Sequence, residues 1–134
     1  MRPVLLAAFL LASAALAAVL APATAAPVPA TAGDPVAGGR TFGQCRICHT
    51  ADSAGADGIG PNLTKVFGSK AGTRRSKSAY SPALKKSGLV WNEESLDRWL
   101  TSPAKTVPGN KMAFVGFSQK PMRDNMIAYL KTLK

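Results

Sequence analysis

The chain reads Cys45-Arg46-Ile47-Cys48-His49 at residues 45–49, and this stretch carries most of its chemical information. Two cysteines three positions apart, followed at once by histidine, form the pattern that attaches a c-type haem. Residues i and i+3 of a helical turn point the same way, so both thiols can bond to vinyl-derived carbons on one porphyrin edge. His49 can then place its imidazole beneath the iron as an axial ligand.

Two other uses of paired cysteines give weaker explanations of this stretch. A structural zinc site needs four ligands, whereas the chain has 2 cysteines and 1 histidine and no cluster of carboxylates nearby. A thioredoxin-like redox pair is expected at the end of a strand, inside an alternating strand and helix pattern. No such pattern is present, so the sequence favours haem attachment.

The N-terminal segment has the layout of a secretory signal peptide. A basic start is followed by apolar residues from Val4 to Leu20 and by the small-residue stretch Ala23-Thr24-Ala25, as in cleaved leaders. We predict a signal peptide at 1–25, a linker at 26–33 and one domain at 34–134, exported to the bacterial periplasm. An uncleaved, membrane-anchored form is the alternative, because the apolar run is near the lower limit for spanning a bilayer.

The charge of the chain is strongly positive, at +10. No acidic residue lies between Asp57 and Glu93, a stretch that holds seven cationic residues: Lys65, Lys70, Arg74, Arg75, Lys77, Lys85 and Lys86. Such a field steers encounters with acidic protein surfaces. We expect no nucleic-acid partner, since no nucleic-acid motif accompanies the charge, and at most peripheral contact with anionic lipid.

Helix signals recur along the chain, whereas no segment alternates for long enough to predict a strand. Capping residues, first-turn prolines and apolar spacing predict four helices, near residues 34–44, 81–86, 92–102 and 121–133. In the first of them, Val36 and Phe42 are expected to make apolar contacts. Residues 65–77 are expected to form a surface loop. The fold class is therefore all-α, with three to five short helices and long loops around one haem.

The loop at 50–60 ends in Gly60-Pro61, which we relate to the haem motif. Proline fixes its own backbone angle and lacks an N–H, so Pro61 is expected to hold the preceding carbonyl as an acceptor for the His49 imidazole. That hydrogen bond would set the tautomer and orientation of the ligand. Haem iron then has one further axial position, for which the candidates are Met112, Met122, Met126 or a lysine.

The chain resembles the monohaem class I cytochrome c family, including its bacterial periplasmic and mitochondrial-like members. The resemblance covers about residues 34–133. It is carried by the haem motif together with five further stretches: Gly60-Pro61-Asn62-Leu63, Tyr80-Ser81-Pro82-Ala83-Leu84-Lys85, Val90-Trp91, Val107-Pro108-Gly109-Asn110-Lys111-Met112-Ala113-Phe114 and Ile127-Ala128-Tyr129-Leu130.

The resemblance implies roles for several side chains. It implies that Met112 is the distal iron ligand, that Pro61 braces His49, and that Tyr80 and Trp91 hydrogen-bond a buried haem propionate. It also implies a crossing of the first and last helices through three residues: Gly38, Phe42 and Tyr129.

Three positions depart from the family pattern. Ser69 stands where the family usually carries arginine, so one propionate lacks its usual cationic partner unless Arg74 or Arg75 takes that role. Trp99 stands where a tyrosine commonly donates to the methionine sulfur, and an indole donates only through its N–H. Asn110 replaces a frequent threonine. We expect these changes to tune the reduction potential more than the fold.

The predicted function is electron transfer rather than enzymatic catalysis. The chain is expected to be a monomeric one-electron shuttle, docking through Arg46, Lys105 and Lys111 onto acidic faces of a cytochrome bc complex, a terminal oxidase, a reaction centre or a periplasmic dehydrogenase. Such contacts weaken with salt. The alternative is a haem enzyme or gas sensor with an open or labile distal site.

Overall fold

A computed structural model describes residues 32–75 and 79–134. These ranges contain five α-helices and one 3₁₀ helix: α1 Pro35–Thr41, the 3₁₀ helix Phe42–Ile47, α2 Pro82–Lys86, α3 Glu93–Thr101, α4 Pro103–Thr106 and α5 Lys120–Thr132. The described ranges hold no β-strand, and their backbone pairing in β geometry is limited to an isolated bridge between Lys70 and Val90. The predicted all-α class is confirmed.

Side-chain caps begin three of the predicted helices. Asp34 Oδ1 accepts from the Val36 N–H at 2.8 Å, and Ser81 Oγ accepts from the Leu84 N–H at 3.1 Å. Asn92 opens α3 through a reciprocal capping box. These polar side chains satisfy N–H groups that have no partner within the helix, which is why short helices form at these points.

Helix α4 was not predicted. Pro103 was expected only to end α3, but it also occupies the first turn of α4, where its missing N–H is harmless. Ser102 separates the two helices and accepts at Oγ from the Lys105 N–H at 3.4 Å.

Helices α1 and α5 cross at close range. Gly38 is buried, and a Cβ at this position would overlap the backbone carbonyl of Asn125. Beside this contact the rings of Phe42 and Tyr129 pack with centroids 5.0 Å apart. Val36, in contrast, is 66% exposed, so the expected apolar contact of Val36 was wrong. This region of the chain therefore packs on α5 through Gly38 of α1 and through Phe42, the first residue of the 3₁₀ helix.

The domain boundaries stay predictions, because the leader at 1–25 and most of the linker at 26–33 lie outside the described residues. Gly33, the last residue of that linker, packs against α5, since a Cβ there would overlap the Asp124 carbonyl. The Asp34 N–H also donates to Asn125 Oδ1 at 2.7 Å.

The core lies where α3 and α5 meet. Buried side chains of these helices form most of it: Leu96, Trp99, Leu100, Met126, Ile127 and Leu130. Within the described residues, none of the helices is both long enough and apolar enough to cross a membrane. Residues 65–75, the described part of the predicted surface loop, also reach the core, because Ala71 is fully buried and donates to the Leu89 carbonyl at 2.8 Å.

Candidate haem site

A cavity of about 460 Å³ lies among the helices and loops. Most of its wall is apolar, with side chains from the 3₁₀ helix, α2, α3, α5 and the intervening loops. Two apolar side chains of this wall, Ile47 and Ile59, are 77% and 83% exposed. All the residues predicted for the site line this one cavity: Cys45, Cys48, His49, Pro61, Tyr80, Trp91, Trp99, Asn110 and Met112.

Cys45 lies in the 3₁₀ helix, and Cys48 is the residue that directly follows it. The N–H groups of Cys48 and His49 both donate to the Cys45 carbonyl, at 3.0 and 2.8 Å. These bonds close one turn between the two cysteines, and both side chains line the cavity. The two sulfurs are not joined in a disulfide, so both are available to a porphyrin.

The imidazole of His49 is oriented by a backbone carbonyl. His49 Nδ1 lies 2.7 Å from the Pro61 oxygen. Because a carbonyl can only accept, Nδ1 carries the proton, and Nε2 keeps a lone pair that can bind a metal. The prediction that the preceding carbonyl is the acceptor was wrong, since the Gly60 oxygen instead accepts from the Gly58 N–H at 2.9 Å.

Gly60 also makes room for the ring, because a Cβ there would lie 2.6 Å from His49 Cε1. The backbone of Gly60 therefore lies directly against the imidazole, which only glycine permits.

Asn62 ties the loop at 50–60 together, a role that the sequence did not reveal. This residue is buried, and its Nδ2 donates to Thr50 Oγ1 at 2.8 Å and to the Asp52 carbonyl at 3.0 Å. Its own N–H donates to Asp57 Oδ1 at 2.8 Å. That hydrogen bond, aided by Arg75, holds the pKa of the Asp57 carboxyl below its usual value. The charged Asp57 thus stabilises the fold at neutral pH, and this contribution is lost as the pH falls through the lowered pKa.

Met112 lies in the irregular segment between α4 and α5. Asn110 shapes this segment, since its Oδ1 accepts from the Met112 N–H at 2.9 Å and its Nδ2 donates to the Val107 carbonyl at 2.9 Å. Of the other candidate methionines, Met126 lines the cavity from α5 and is fully buried, whereas Met122 does not line it. The methionine candidates at the cavity are therefore Met112 and Met126.

Four further side chains that carry a polar group line the cavity: Arg74, Tyr80, Trp91 and Trp99. Trp91 and Trp99 are buried and meet edge to face, with centroids 5.2 Å apart, and burial raises the pKa of the Tyr80 phenol. Arg74 lines the cavity and donates to the Thr64 carbonyl. Arg75 does not line it and instead pairs with an acidic residue, Asp57, at 2.6 Å.

The residues of the cavity fit a c-type haem. Two thiols three residues apart can hold the porphyrin edge, and His49 Nε2 is available to iron. Large apolar side chains match the porphyrin faces, and the Arg74 guanidinium can pair with a propionate. The sequence analysis named Gly60 and Asn62 only within the stretch Gly60-Pro61-Asn62-Leu63, and did not predict that Gly60 lies against the imidazole or that Asn62 bonds to the loop. The Gly-Pro pair indicated only a turn.

Comparison with known proteins places the chain in a family. No protein-family model matches it. It is 48% identical over 101 residues to cytochrome c2 of Rhodomicrobium vannielii, covering 75% of this chain and 80% of that protein. It is 44% identical over 103 residues to cytochrome c2 of Rhodoblastus acidophilus, covering 77% and 95% of the two chains.

A solved structure agrees with these relatives. Cytochrome cH from Methylobacterium extorquens superposes with a TM-score of 0.70 at 47% identity, over 75% of this chain and 99% of that one. Similarity of this extent in both sequence and structure establishes common ancestry. The chain belongs to the class I monohaem cytochrome c family, and as a member of it carries electrons on a c-type haem bound covalently through Cys45 and Cys48.

Proposed function

We propose that this chain is a one-electron shuttle in which His49 and Met112 are the two axial ligands of the haem iron. The haem supplies reversible one-electron chemistry at its iron. The observation that carries the proposal is that both side chains line the same cavity, with His49 Nδ1 engaged by the Pro61 carbonyl and Nε2 free. A protein ligand on each side leaves no open position for substrate, which argues for a carrier.

The chain's own residues adapt the site to this role. The soft thioether of Met112 favours ferrous iron and raises the reduction potential relative to two histidines. Buried side chains such as Trp99, Leu96 and Leu100 keep water away from the cavity wall, which reduces the solvent rearrangement that accompanies each electron transfer.

Replacing Met112 by alanine tests the ligand assignment. Oxidised cytochromes with methionine on the iron absorb near 695 nm, and we expect Met112→Ala to lose this band completely. The matched control is Met126→Leu, which changes the other methionine of the cavity and should keep the band. Loss of the band in Met126→Leu alone would assign the ligand to α5. If the unmodified protein lacks the band, the result would favour a haem enzyme or gas sensor with an open distal site.

We further propose that basic residues near the cavity dock acidic faces of redox partners, such as a cytochrome bc complex, a terminal oxidase, a reaction centre or a periplasmic dehydrogenase. Arg46 and Lys111 are exposed, and Lys111 lines the cavity. Lys105 is exposed but lies beside a groove between α3 and α4, so it is the weakest of the three predicted contacts.

Neutralising one docking cation should slow electron transfer to an acidic partner at low ionic strength. We expect Lys111→Gln to lower the second-order rate constant severalfold, with the difference vanishing in high salt because of screening. Lys120→Gln is the control, since Lys120 is exposed on α5 and does not line the cavity. Equal rate constants in the two variants, measured by stopped-flow, would contradict this docking surface.

We also propose that the protein works as a monomer in the periplasm after removal of residues 1–25. The basic, apolar and small-residue order of the first 25 residues supports export. The intact mass of the protein purified from a periplasmic fraction would show where the leader is cut. A full-length mass in the membrane fraction would show the anchored form instead.

A further inference from the structure

The segment between α4 and α5, residues 107–119, is held near its end by one buried arginine. Arg123 of α5 is 8% exposed. Its Nη1 donates to the carbonyl oxygens of Phe117 and Ser118, at 2.9 Å each. Its Nε donates to Asp97 Oδ1 of α3 at 2.7 Å. A single side chain thus joins the loop to both helices of the core.

The anchored end of this loop is in contact with the part that carries Met112. The Phe117 N–H donates to the Leu100 carbonyl at 2.7 Å. The Phe117 ring packs edge to face on Phe114, with centroids 5.0 Å apart. Phe114 lines the cavity and its N–H donates to the Met112 carbonyl at 3.1 Å. A displacement at Phe117 therefore reaches Met112 through direct contacts.

Breaking this anchor would leave several groups without partners. Without the guanidinium, two loop carbonyls lose a charged donor, and the Asp97 carboxylate loses its cation. The Asp97 carboxylate and the Ser118 carbonyl are partly exposed and lose less, but the Phe117 carbonyl is buried, and leaving it without a donor carries a free-energy penalty. The loop would relieve it by moving toward water, which takes Phe117 away from α3.

We propose that Arg123 is a positioning residue for the axial ligand: by fixing the carbonyls of Phe117 and Ser118 against α3, it holds the Met112 sulfur at the haem iron. This inference rests on the proposed function, in which Met112 is a ligand. A looser loop populates the ligated arrangement less, so an external ligand competes more successfully for the iron.

Imidazole titration of the oxidised holoprotein tests this role, with loss of the 695 nm band as the readout. We expect Arg123→Gln to bind imidazole with an apparent Kd at least tenfold lower than the unmodified protein. Arg123→Lys should give a smaller change, because an ammonium keeps the charge but lacks the planar fork that reaches three acceptors. The Soret absorbance should show intact haem attachment in both variants.

The matched control is Lys131→Gln. Lys131 forms an ion pair with Glu93 and so also joins α5 to α3, but it bonds to no carbonyl of the loop. Its imidazole affinity should stay within about twofold of the unmodified protein, as expected for an exposed pair.

An unchanged imidazole affinity in Arg123→Gln, together with a lower unfolding free energy, would overturn the proposal and leave Arg123 a purely structural residue. If this variant fails to fold, Asp97→Asn takes its place, since it removes the carboxylate and keeps the arginine. Asp97→Asn should also lower the apparent Kd for imidazole, and an unchanged Kd in this variant would likewise overturn the proposal. Retention of the band by Met112→Ala would instead defeat the ligand assignment itself.

Discussion

Among single residues, Arg74 is one of three cations that line the cavity, with Lys70 and Lys111. It reaches the cavity, whereas the following Arg75 is turned to Asp57. Removing a cation near the iron favours the more positive ferric state, so we expect Arg74→Gln to lower the reduction potential. A partly screened unit charge is worth on the order of 1 kcal/mol, or a few tens of millivolts.

Arg75→Gln is the control for this prediction, because it removes the same charge from the next position in the chain. Spectroelectrochemical titration should show a smaller shift for Arg75→Gln than for Arg74→Gln. Equal shifts would mean that net charge, and not a specific contact at the cavity, sets the potential.

The sequence predicts single residues best where the chemistry itself demands a residue type. Cys45, Cys48 and His49 follow from what haem attachment requires. The sequence did not predict which carbonyl accepts the hydrogen bond from His49 Nδ1, nor which groups Asn62 bonds to. Those depend on the path of the loop backbone, and a polar side chain in a loop has many possible partners that are equivalent in the sequence.

At the level of elements, the crossing of α1 and α5 is the contact that tolerates least change. Gly38→Ala would place a methyl group on the Asn125 carbonyl. We expect the helices to separate and the unfolding free energy to fall by about 1–3 kcal/mol or more. Urea denaturation should show a lower midpoint with an unchanged slope.

Gly43→Ala provides the opposite case within the adjoining 3₁₀ helix. A Cβ there meets nothing within 4 Å, so the loss of glycine's flexibility in the unfolded chain should dominate. We expect a stabilisation of about 0.4–1 kcal/mol. A destabilisation equal to that of Gly38→Ala would show that glycine matters here for a reason other than close packing.

The elements show why some local structure could be predicted and some could not. Helices with a polar cap and a first-turn proline or acidic pair, such as α3, were predicted because those signals act locally. The burial of Ala71 was missed because Lys70 and Thr73 make its surroundings polar in sequence. Its burial comes from pairing with Leu89 across the chain, a tertiary contact that hydropathy does not report.

For the molecule as a whole, the cavity is large in proportion to the protein around it. Without a haem, the apolar wall of this cavity of about 460 Å³ would face water, and each Å² of apolar surface left in water forgoes about 25 cal/mol. Native domains are stable by only about 5–15 kcal/mol in total. A haem that covers this wall therefore contributes much of the apolar core against which α3 and α5 pack.

Haem removal should consequently unfold the chain. We expect a Cys45→Ser, Cys48→Ser double variant made without bound haem to lose most of its helical circular dichroism and its cooperative thermal transition, because each helix is too short to be stable alone. Met112→Ala keeps the covalent haem and should keep both the helical circular dichroism and the cooperative transition. The comparison separates the contribution of the porphyrin to stability from that of the axial bond. Native helicity with a sharp transition in the haem-free variant would show that α3 and α5 form a sufficient core without it.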